Sequence, residues 1–329
     1  MIDFALVFGS FMITTLLMGR VIRWSQSFGL VDEVTKRSSH SQPTPRGGGI
    51  AIVLMTLVAG IVYAGSLMKA ADGTVPWFLI IFLAGGAFIA FVGLMDDKYE
   101  LSAKVRLLSQ VVAVAPVVYF LPHILTFMPL WADKVIFFLL WVWFINFYNF
   151  MDGIDGLAGA QAVFLGAALS LFSPFFKPLA LVLAGSSMGF LRVNVSVKNP
   201  AKIFMGDVGS TFLGYMFAGI IFYSSTWDTL LVFLSLTLVF SGDATFTLIK
   251  RLFKGKKPWE AHKEHFYQRA VHKLGMSHTD VVVKATFTNT ALFVVAMVGL
   301  MSGLGPWTCI ISLAVVAYPA YRISKLEGK

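Results

Sequence analysis

Three groups of acidic residues stand out in a chain that carries few charges. Asp96 and Asp97 end one apolar run, Asp152 and Asp155 follow another, and Asp207 opens a third inside Phe204-Met205-Gly206-Asp207-Val208-Gly209-Ser210. Ionisable groups at membrane depth are costly and usually serve function, and carboxylates gathered at one face need a cation between them. Asn146, Asn149, Asp152 and Asp155 recur at steps of three. Neighbours three apart share a helix face, and nine residues rise about 13.5 Å, so a helix running through them would line the wall of a cleft, with Gly153 and Gly156 fraying its end. Such oxygens suit a hard divalent ion, and Mg²⁺ takes one or two carboxylates plus water and substrate phosphates. With a single cysteine and His262 and His265 alone, structural zinc lacks a ligand set. The competing reading is a capping and hydrogen-bonded seam, which suits any one of these residues better than four in register.

Groups suited to phosphate accompany the acids. Segment 36–49 places Lys36, Arg37, His40, Thr44 and Arg46 before three glycines and an apolar run; glycines let backbone N–H groups approach an anion, and a helix N-terminus adds partial positive charge. A flexible basic loop is the plainer reading of that segment, and Lys104 and Arg106 share the ambiguity. His262, His265 and Arg269 form a third group, and the two histidines, three apart, can point one way on a short helix and donate to a diphosphate. An interfacial amphipathic helix with Trp259, Phe266 and Tyr267 at headgroup level fits the same residues equally well.

The elements that must position these groups are apolar helices. The 329 residues are 57% hydrophobic and 13% charged, with mean hydropathy +0.78, whereas soluble domains run near 45–50% apolar and about 25% charged. The expectation is an all-α polytopic membrane protein with one transmembrane domain over 1–329. Eleven apolar runs approach the roughly 20 residues a bilayer requires: 3–22, 47–68, 76–95, 107–124, 135–151, 157–174, 178–191, 211–226, 229–249, 281–302 and 305–321, with ten as the alternative count. Arg20 and Arg23 follow the first run with no Lys or Arg before it, so no cleaved signal peptide is expected and the N-terminus should face the periplasm. Loops 20–46, 96–106, 150–156, 192–210 and 250–280 and the tail from 322 then share one side. They hold 22 of the 26 Lys and Arg, against Lys69, Lys134 and Lys177 opposite and Lys284 near a helix end, which marks that side, and the C-terminus, as cytoplasmic. The formal charge of +9 is then mostly topological and suits anionic lipid better than nucleic acid.

In order along the chain, the His40-to-Gly48 loop, Asp96-Asp97 with Leu101-Ser102-Ala103-Lys104, Asn149-Phe-Met-Asp152-Gly-Ile-Asp155-Gly156, and Pro200-Ala-Lys-Ile-Phe-Met-Gly206-Asp207 resemble the motifs of the polyprenyl-phosphate N-acetylhexosamine-1-phosphate transferase superfamily. The resemblance runs from Asp32 to about His278. It implies transfer of a sugar 1-phosphate from a UDP-N-acetylhexosamine to undecaprenyl phosphate in the bacterial inner membrane, with release of UMP and a requirement for Mg²⁺ that Mn²⁺ could replace; a homodimer is left open. By position, Asp207 matches the family's magnesium aspartate and Asn149 its amide neighbour. Arg106 matches a diphosphate-contacting base, Phe204 a residue stacking near uracil, Asp152 and Asp155 positions near the nucleotide and catalytic centre, and Asp96 and Asp97 the pair assigned to acceptor activation or metal support. Asn194 and Asn199 both suit the family's uracil-contacting asparagine. The spaced His262 and His265 and the Pro-Thr-Pro-Arg sequence at 43–46 resemble the branch that primes O-antigen and related surface glycans more than the peptidoglycan branch.

Phosphoryl transfer is mostly positioning and charge neutralisation, and a lipid phosphate with a second pKa near 6 is largely ionised at neutral pH. Direct attack is therefore expected, with Asp96 orienting the acceptor or taking its last proton and Arg46, Arg106 and His262 offsetting charge. A two-step route through an aspartyl phosphosugar is the alternative. Peptidoglycan or teichoic-acid linkage initiation would use the same chemistry. A transporter also places polar residues in helices, but near the midplane, where here only Asp243 falls.

Overall fold

A computed structural model describes residues 1–33, 42–195, 200–257, 262–303 and 305–327. Along them run α1 (Ile2–Ser27), β1 (Val31–Asp32), β2 (Thr44–Pro45), α2 (Gly49–Ala70), α3 (Trp77–Tyr99), α4 (Ala103–Tyr119), α5 (Leu130–Phe150), α6 (Leu157–Phe172), α7 (Lys177–Asn194), α8 (Asp207–Ser224), α9 (Trp227–Ser235), α10 (Leu238–Phe253), α11 (Phe266–His272), α12 (His278–Ser302) and α13 (Gly305–Glu327). The protein is an all-α, multi-pass membrane protein. Each expected apolar run coincides with a helix except the ninth, which is two. There α9 and α10 meet at 82°, because Thr237 Oγ1 turns back to Leu234 O at 2.8 Å and Ser241 Oγ to Thr237 O at 3.1 Å, the kind of back-bonding that bends helices. By length and composition α1, α2, α3, α5, α12 and the Trp307–Leu326 stretch of α13 each suffice to cross a bilayer, with α9 and α10 a seventh if taken as one bent span. The helices α4, α6, α7 and α8 are shorter, at 16 to 18 residues.

Two packing contacts fix the site. Helix α8 is buried from Val208 to Phe222 except at Thr211 and packs between α3 and α5. Antiparallel to it, α5 donates Trp141 Nε1 to Tyr215 O at 3.0 Å. Trp141 lies eight residues before Asn149 and Tyr215 eight after Asp207, so equal rises of about 12 Å bring the C-terminus of α5 level with the N-terminus of α8. The second contact is backbone on backbone: a Cβ on Gly49 would stand 2.2 Å from Gly209 Cα, so α2 and α8 cross at a distance only glycines allow.

Loops join the same end of the bundle. Strands β1 and β2 pair antiparallel, Val31 opposite Pro45 and Asp32 opposite Thr44. The 200–206 segment runs beside the stretch from β2 to the start of α2, with Phe204 N–H donating to Pro45 O and Gly48 N–H to Phe204 O, both at 2.8 Å, and Gly49 N–H to Met205 O at 2.9 Å. Backbone groups that would be orphaned at a helix entry are thereby satisfied.

Candidate active site

A cleft of about 590 Å³ opens where the C-termini of α1, α3 and α5 meet the N-terminus of α8. All five inter-helix loops expected on the charged side contribute to its wall: Arg46, Asp97, Asp152, Asp155, Phe204, Asp207 and Gln268 are among the lining residues. Among the described residues seven carboxylates line it (Asp32, Glu33, Asp97, Glu100, Asp152, Asp155 and Asp207) against the cations Arg46 and Lys98. Arg46 is already committed to Asp32, its partner across the ribbon.

Asn149 stands beside the lining rather than on it: its Nδ2 donates to Oδ1 of the cleft-lining Asp207 at 2.6 Å and to Ser210 Oγ at 3.0 Å. Among the described residues no three His, Cys, Asp or Glu are set out as a metal cage. A carboxylate on a cleft with surplus negative charge, with an amide against it, nevertheless suits an ion that keeps most of its ligands as water and phosphate. Rotating the Asn149 amide would present its oxygen beside Asp207, an arrangement that a cation between the two oxygens favours.

Asp97 has a different position. Its Oδ1 accepts from Asp207 N–H at 2.9 Å and its Oδ2 from Val208 N–H at 3.1 Å, so a side chain from α3 caps the N-terminus of α8. Gly206 makes the fit possible: its φ of +76° favours glycine, and a Cβ there would stand 2.5 Å from Asp97 Oδ2. Asp96 is buried, accepting from Leu101 N–H at 2.7 Å and from Arg106 Nη1 at 3.1 Å, which ties the α3–α4 turn.

Asp152 lines the cleft beyond the end of α5. Burial, and then the charges of Asp207, Asp97 and Asp155, push its carboxyl well above the usual range against the opposing pull of Arg46. Asp155 Oδ2 lies 3.2 Å from His278 Nδ1 at the start of α12. Asn194 is held by the chain itself, accepting from Gly156 N–H at 2.8 Å and donating to Ile203 O at 3.0 Å; Asn199, like His40, lies outside the described residues.

The single-face ladder expected from Asn146 to Asp155 is not formed. Helix α5 closes at Phe150, Met151 N–H turning back to Phe147 and Tyr148, and Asn146 faces α4, exchanging 2.7 and 3.4 Å bonds with Gln110. Arg106 is on a separate cavity of about 20 Å³ with Asp96, Gly93, Ser109, Gln110 and Thr211 rather than on the cleft, and Lys104 is exposed at the start of α4. Thr44 is buried, its hydroxyl on Gln42 O at 3.0 Å. His262 and His265 have rings 4.8 Å apart, yet neither lines the cleft. His265 is buried against Asp243, its Nδ1 3.2 Å from Oδ1. Burial foremost, then the charges of His265 and Arg251, lowers His262 to about 4. Arg269 is buried, 3.4 Å from Ser324 Oγ and over the Phe266 ring.

Sequence reasoning passed over Asp32, Lys98, Gln268 and His278, all on the cleft. Only His278 had a local signal: Ser277-His-Thr-Asp280 forms a capping box at the start of α12.

Residues 79–225 match glycosyl transferase family 4. The chain is 32% identical over 84% of its length to a probable undecaprenyl-phosphate N-acetylglucosaminyl 1-phosphate transferase of Bacillus subtilis, spanning 80% of that relative. It is 29% identical to a decaprenyl-phosphate N-acetylglucosaminephosphotransferase of Mycolicibacterium smegmatis, over 78% of the chain and 72% of the relative. An undecaprenyl-phosphate alpha-N-acetylglucosaminyl 1-phosphate transferase of Salmonella typhi is 27% identical, over 90% and 81%. With its acidic loops converging beside Asn149 and Asp207 and relatives matched along most of its length, the chain belongs to glycosyl transferase family 4, as a phosphoglycosyltransferase of the polyprenyl-phosphate N-acetylhexosamine-1-phosphate transferase superfamily.

Proposed function

We propose that the protein transfers N-acetylglucosamine 1-phosphate from UDP-N-acetylglucosamine to undecaprenyl phosphate, releasing UMP, at the cytoplasmic face of the inner membrane. The observation that carries this reading is the convergence of five loops on one acidic cleft around the 2.6 Å Asn149–Asp207 contact. The names of the matched relatives agree on N-acetylglucosamine and differ on the carrier, undecaprenyl in two and decaprenyl in the third. The 22-to-3 division of Lys and Arg supports the cytoplasmic side. The spaced His262 and His265 support a role in starting O-antigen or another surface glycan.

Asp207 and Asn149 are the residues that would hold Mg²⁺. When bound, the ion would neutralise diphosphate charge and stabilise the leaving UMP. An oxygen of the lipid phosphate attacks the sugar-side phosphorus, and the bond from that phosphorus to the bridging oxygen breaks with its electron pair leaving on UMP. Asp97 keeps Asp207 in place by holding the first turn of α8. Arg46, on the cleft wall, offsets nucleotide phosphate charge, and Phe204 offers a ring to the base. Arg106 belongs to the acceptor side: it pairs with Asp96 in the smaller cavity, and its neighbours Val105, Leu107, Leu108 and Val112 are exposed apolar residues on α4, as a lipid-facing helix requires. Because the lipid phosphate is largely ionised near neutral pH, no strong base is required.

A panel of UDP-N-acetylhexosamines offered to membranes with undecaprenyl phosphate tests the reading. UDP-N-acetylglucosamine should give the highest rate of lipid-diphosphate-sugar formation, and no product from any member of the panel would remove the transferase assignment. Exchange of labelled UMP into UDP-sugar without lipid acceptor would replace direct attack by the two-step route.

A further inference from the structure

Asp243 is the one acidic side chain of α10, buried within an apolar run and absent from the cleft lining. Four donors converge on it. Its Oδ1 accepts from Phe266 N–H at 2.9 Å, from Thr247 Oγ1 at 3.1 Å and lies 3.2 Å from His265 Nδ1, while Oδ2 accepts from Tyr267 N–H at 3.2 Å. The carboxylate thus adds, from another helix, acceptors for the first two N–H groups of α11, whose own capping box pairs His265 with Gln268. What α11 then touches belongs to the cleft. Tyr267 Oη donates to Phe150 O, the last residue of α5, at 2.9 Å, and the same hydroxyl lies on Gly153, where a Cβ would come within 2.1 Å of it. The residues on either side of that contact are Asn149 and Asp152, and Gln268, one residue on from Tyr267, lines the cleft itself.

We propose that Asp243 is a positioning residue for the nucleotide-sugar side of the cleft, acting through His265 and the Tyr267–Phe150 bond to hold the Asn149–Asp155 corner and Gln268 in place. His265 serves in this brace instead of contacting substrate. The inference rests on the transferase reading for its substrate and adds a split between the two substrates. The braced wall is the cleft wall, whereas the cavity of Asp96 and Arg106 is lined by residues of α3, α4 and α8 and by none of α11.

Steady-state kinetics on the full chain in lipid nanodiscs test it, with UDP-N-acetylglucosamine and undecaprenyl phosphate varied in turn. Asp243→Ala should raise the donor KM about tenfold or more, the scale of a lost helix cap, with the acceptor KM within about twofold. Asp243→Asn, which keeps one acceptor oxygen, should recover part of the loss. Tyr267→Phe removes only the hydroxyl on Phe150 and should raise the donor KM about two- to fivefold; it decides the matter if Asp243→Ala does not fold. Hydrogen exchange at 150–156 should accelerate in Asp243→Ala together with that of 262–272. An unchanged donor KM in both variants, equal rises in both KM values, or faster exchange confined to 262–272 overturns the proposal. Should the wild type neither bind nor turn over the donor, the transferase reading fails, and the exchange comparison still decides the brace.

Discussion

Removing the Asp97 carboxylate separates a helix cap from a reacting group. Asp97→Ala deletes the acceptors of two backbone N–H groups, at 2.9 and 3.1 Å, from the turn that carries Asp207. Hydrogen bonds to a charged partner contribute about 1.5–3 kcal/mol each, which would give about 3–6 kcal/mol if both donors were left dry. Cleft water can replace part of that, and measured N-cap losses run about 0.5–2 kcal/mol. Removing a like charge beside Asp207 offsets a little more. A loss near 2–3 kcal/mol in holding Asp207 corresponds to a rate lower by roughly 30- to 160-fold. Asparagine keeps one acceptor and turns an N–H₂ toward the other donor, so Asp97→Asn should fall between wild type and alanine. The assay is UMP release by purified protein at matched folded concentration, with thermal unfolding run in parallel. Equal losses of about 10⁴-fold or more in both variants, without loss of stability, would contradict the cap and make Asp97 a group that touches the reacting atoms. Wild-type rates in the alanine variant would contradict it from the other side.

The two asparagines of α5 should diverge. Asn149→Ala should remove turnover at any practical Mg²⁺ concentration, whereas Asn146→Ala, which loses only the Gln110 and Val142 bonds, should lower the unfolding midpoint and keep the rate within about threefold; kinetics and calorimetry on both variants check the contrast. His262, lowered to about 4, is neutral through the working range, so rate profiles of wild type and His262→Gln should have the same shape between about pH 5.5 and 8. An inflection near pH 6 that vanishes in the variant would contradict this. Asp152, raised well above 3.8 by burial first, binds its proton more tightly folded than unfolded. It therefore favours folding below the unfolded value and loses that contribution as pH climbs through its folded value. Chelator-treated protein should accordingly gain thermal stability from Asp152 as pH is lowered from alkaline values toward the ordinary carboxylate range, an effect Asp152→Asn should abolish, and added Mg²⁺ should stabilise more at the higher pH.

Which residues face one another was legible where the chain carries local signals. The helices follow from runs of apolar residues, and the loops that meet at the cleft follow from the distribution of Lys and Arg, because both are properties of composition along short stretches. The proximity of Asn149 and Asp207 was expected from family motifs, and its cause is the equal spacing of both from the Trp141–Tyr215 contact. What failed did so for reasons of tertiary structure. A three-residue period extended the α5 pattern through Asp155, but the helix ends at Phe150 and Asn146 turns to α4. His265 reads as a substrate donor until Asp243, 22 residues earlier, is found against it. Asp32 gains meaning only through the ribbon that sets it beside Arg46. The bend between α9 and α10 arises from two hydroxyls within an otherwise apolar stretch, too small a signal to divide the run.

The most direct test is the Mg²⁺ dependence of UMP release from UDP-N-acetylglucosamine by membranes carrying either the wild type or Asp207→Asn, with undecaprenyl phosphate supplied. The wild type should release UMP in step with lipid-diphosphate-sugar and stop on chelation. The variant, inserted in the membrane at equal level, should release none. Full turnover by Asp207→Asn at ordinary Mg²⁺, or undiminished wild-type release after chelation, would contradict the central claim that this cleft transfers a phosphosugar around an ion held by Asp207.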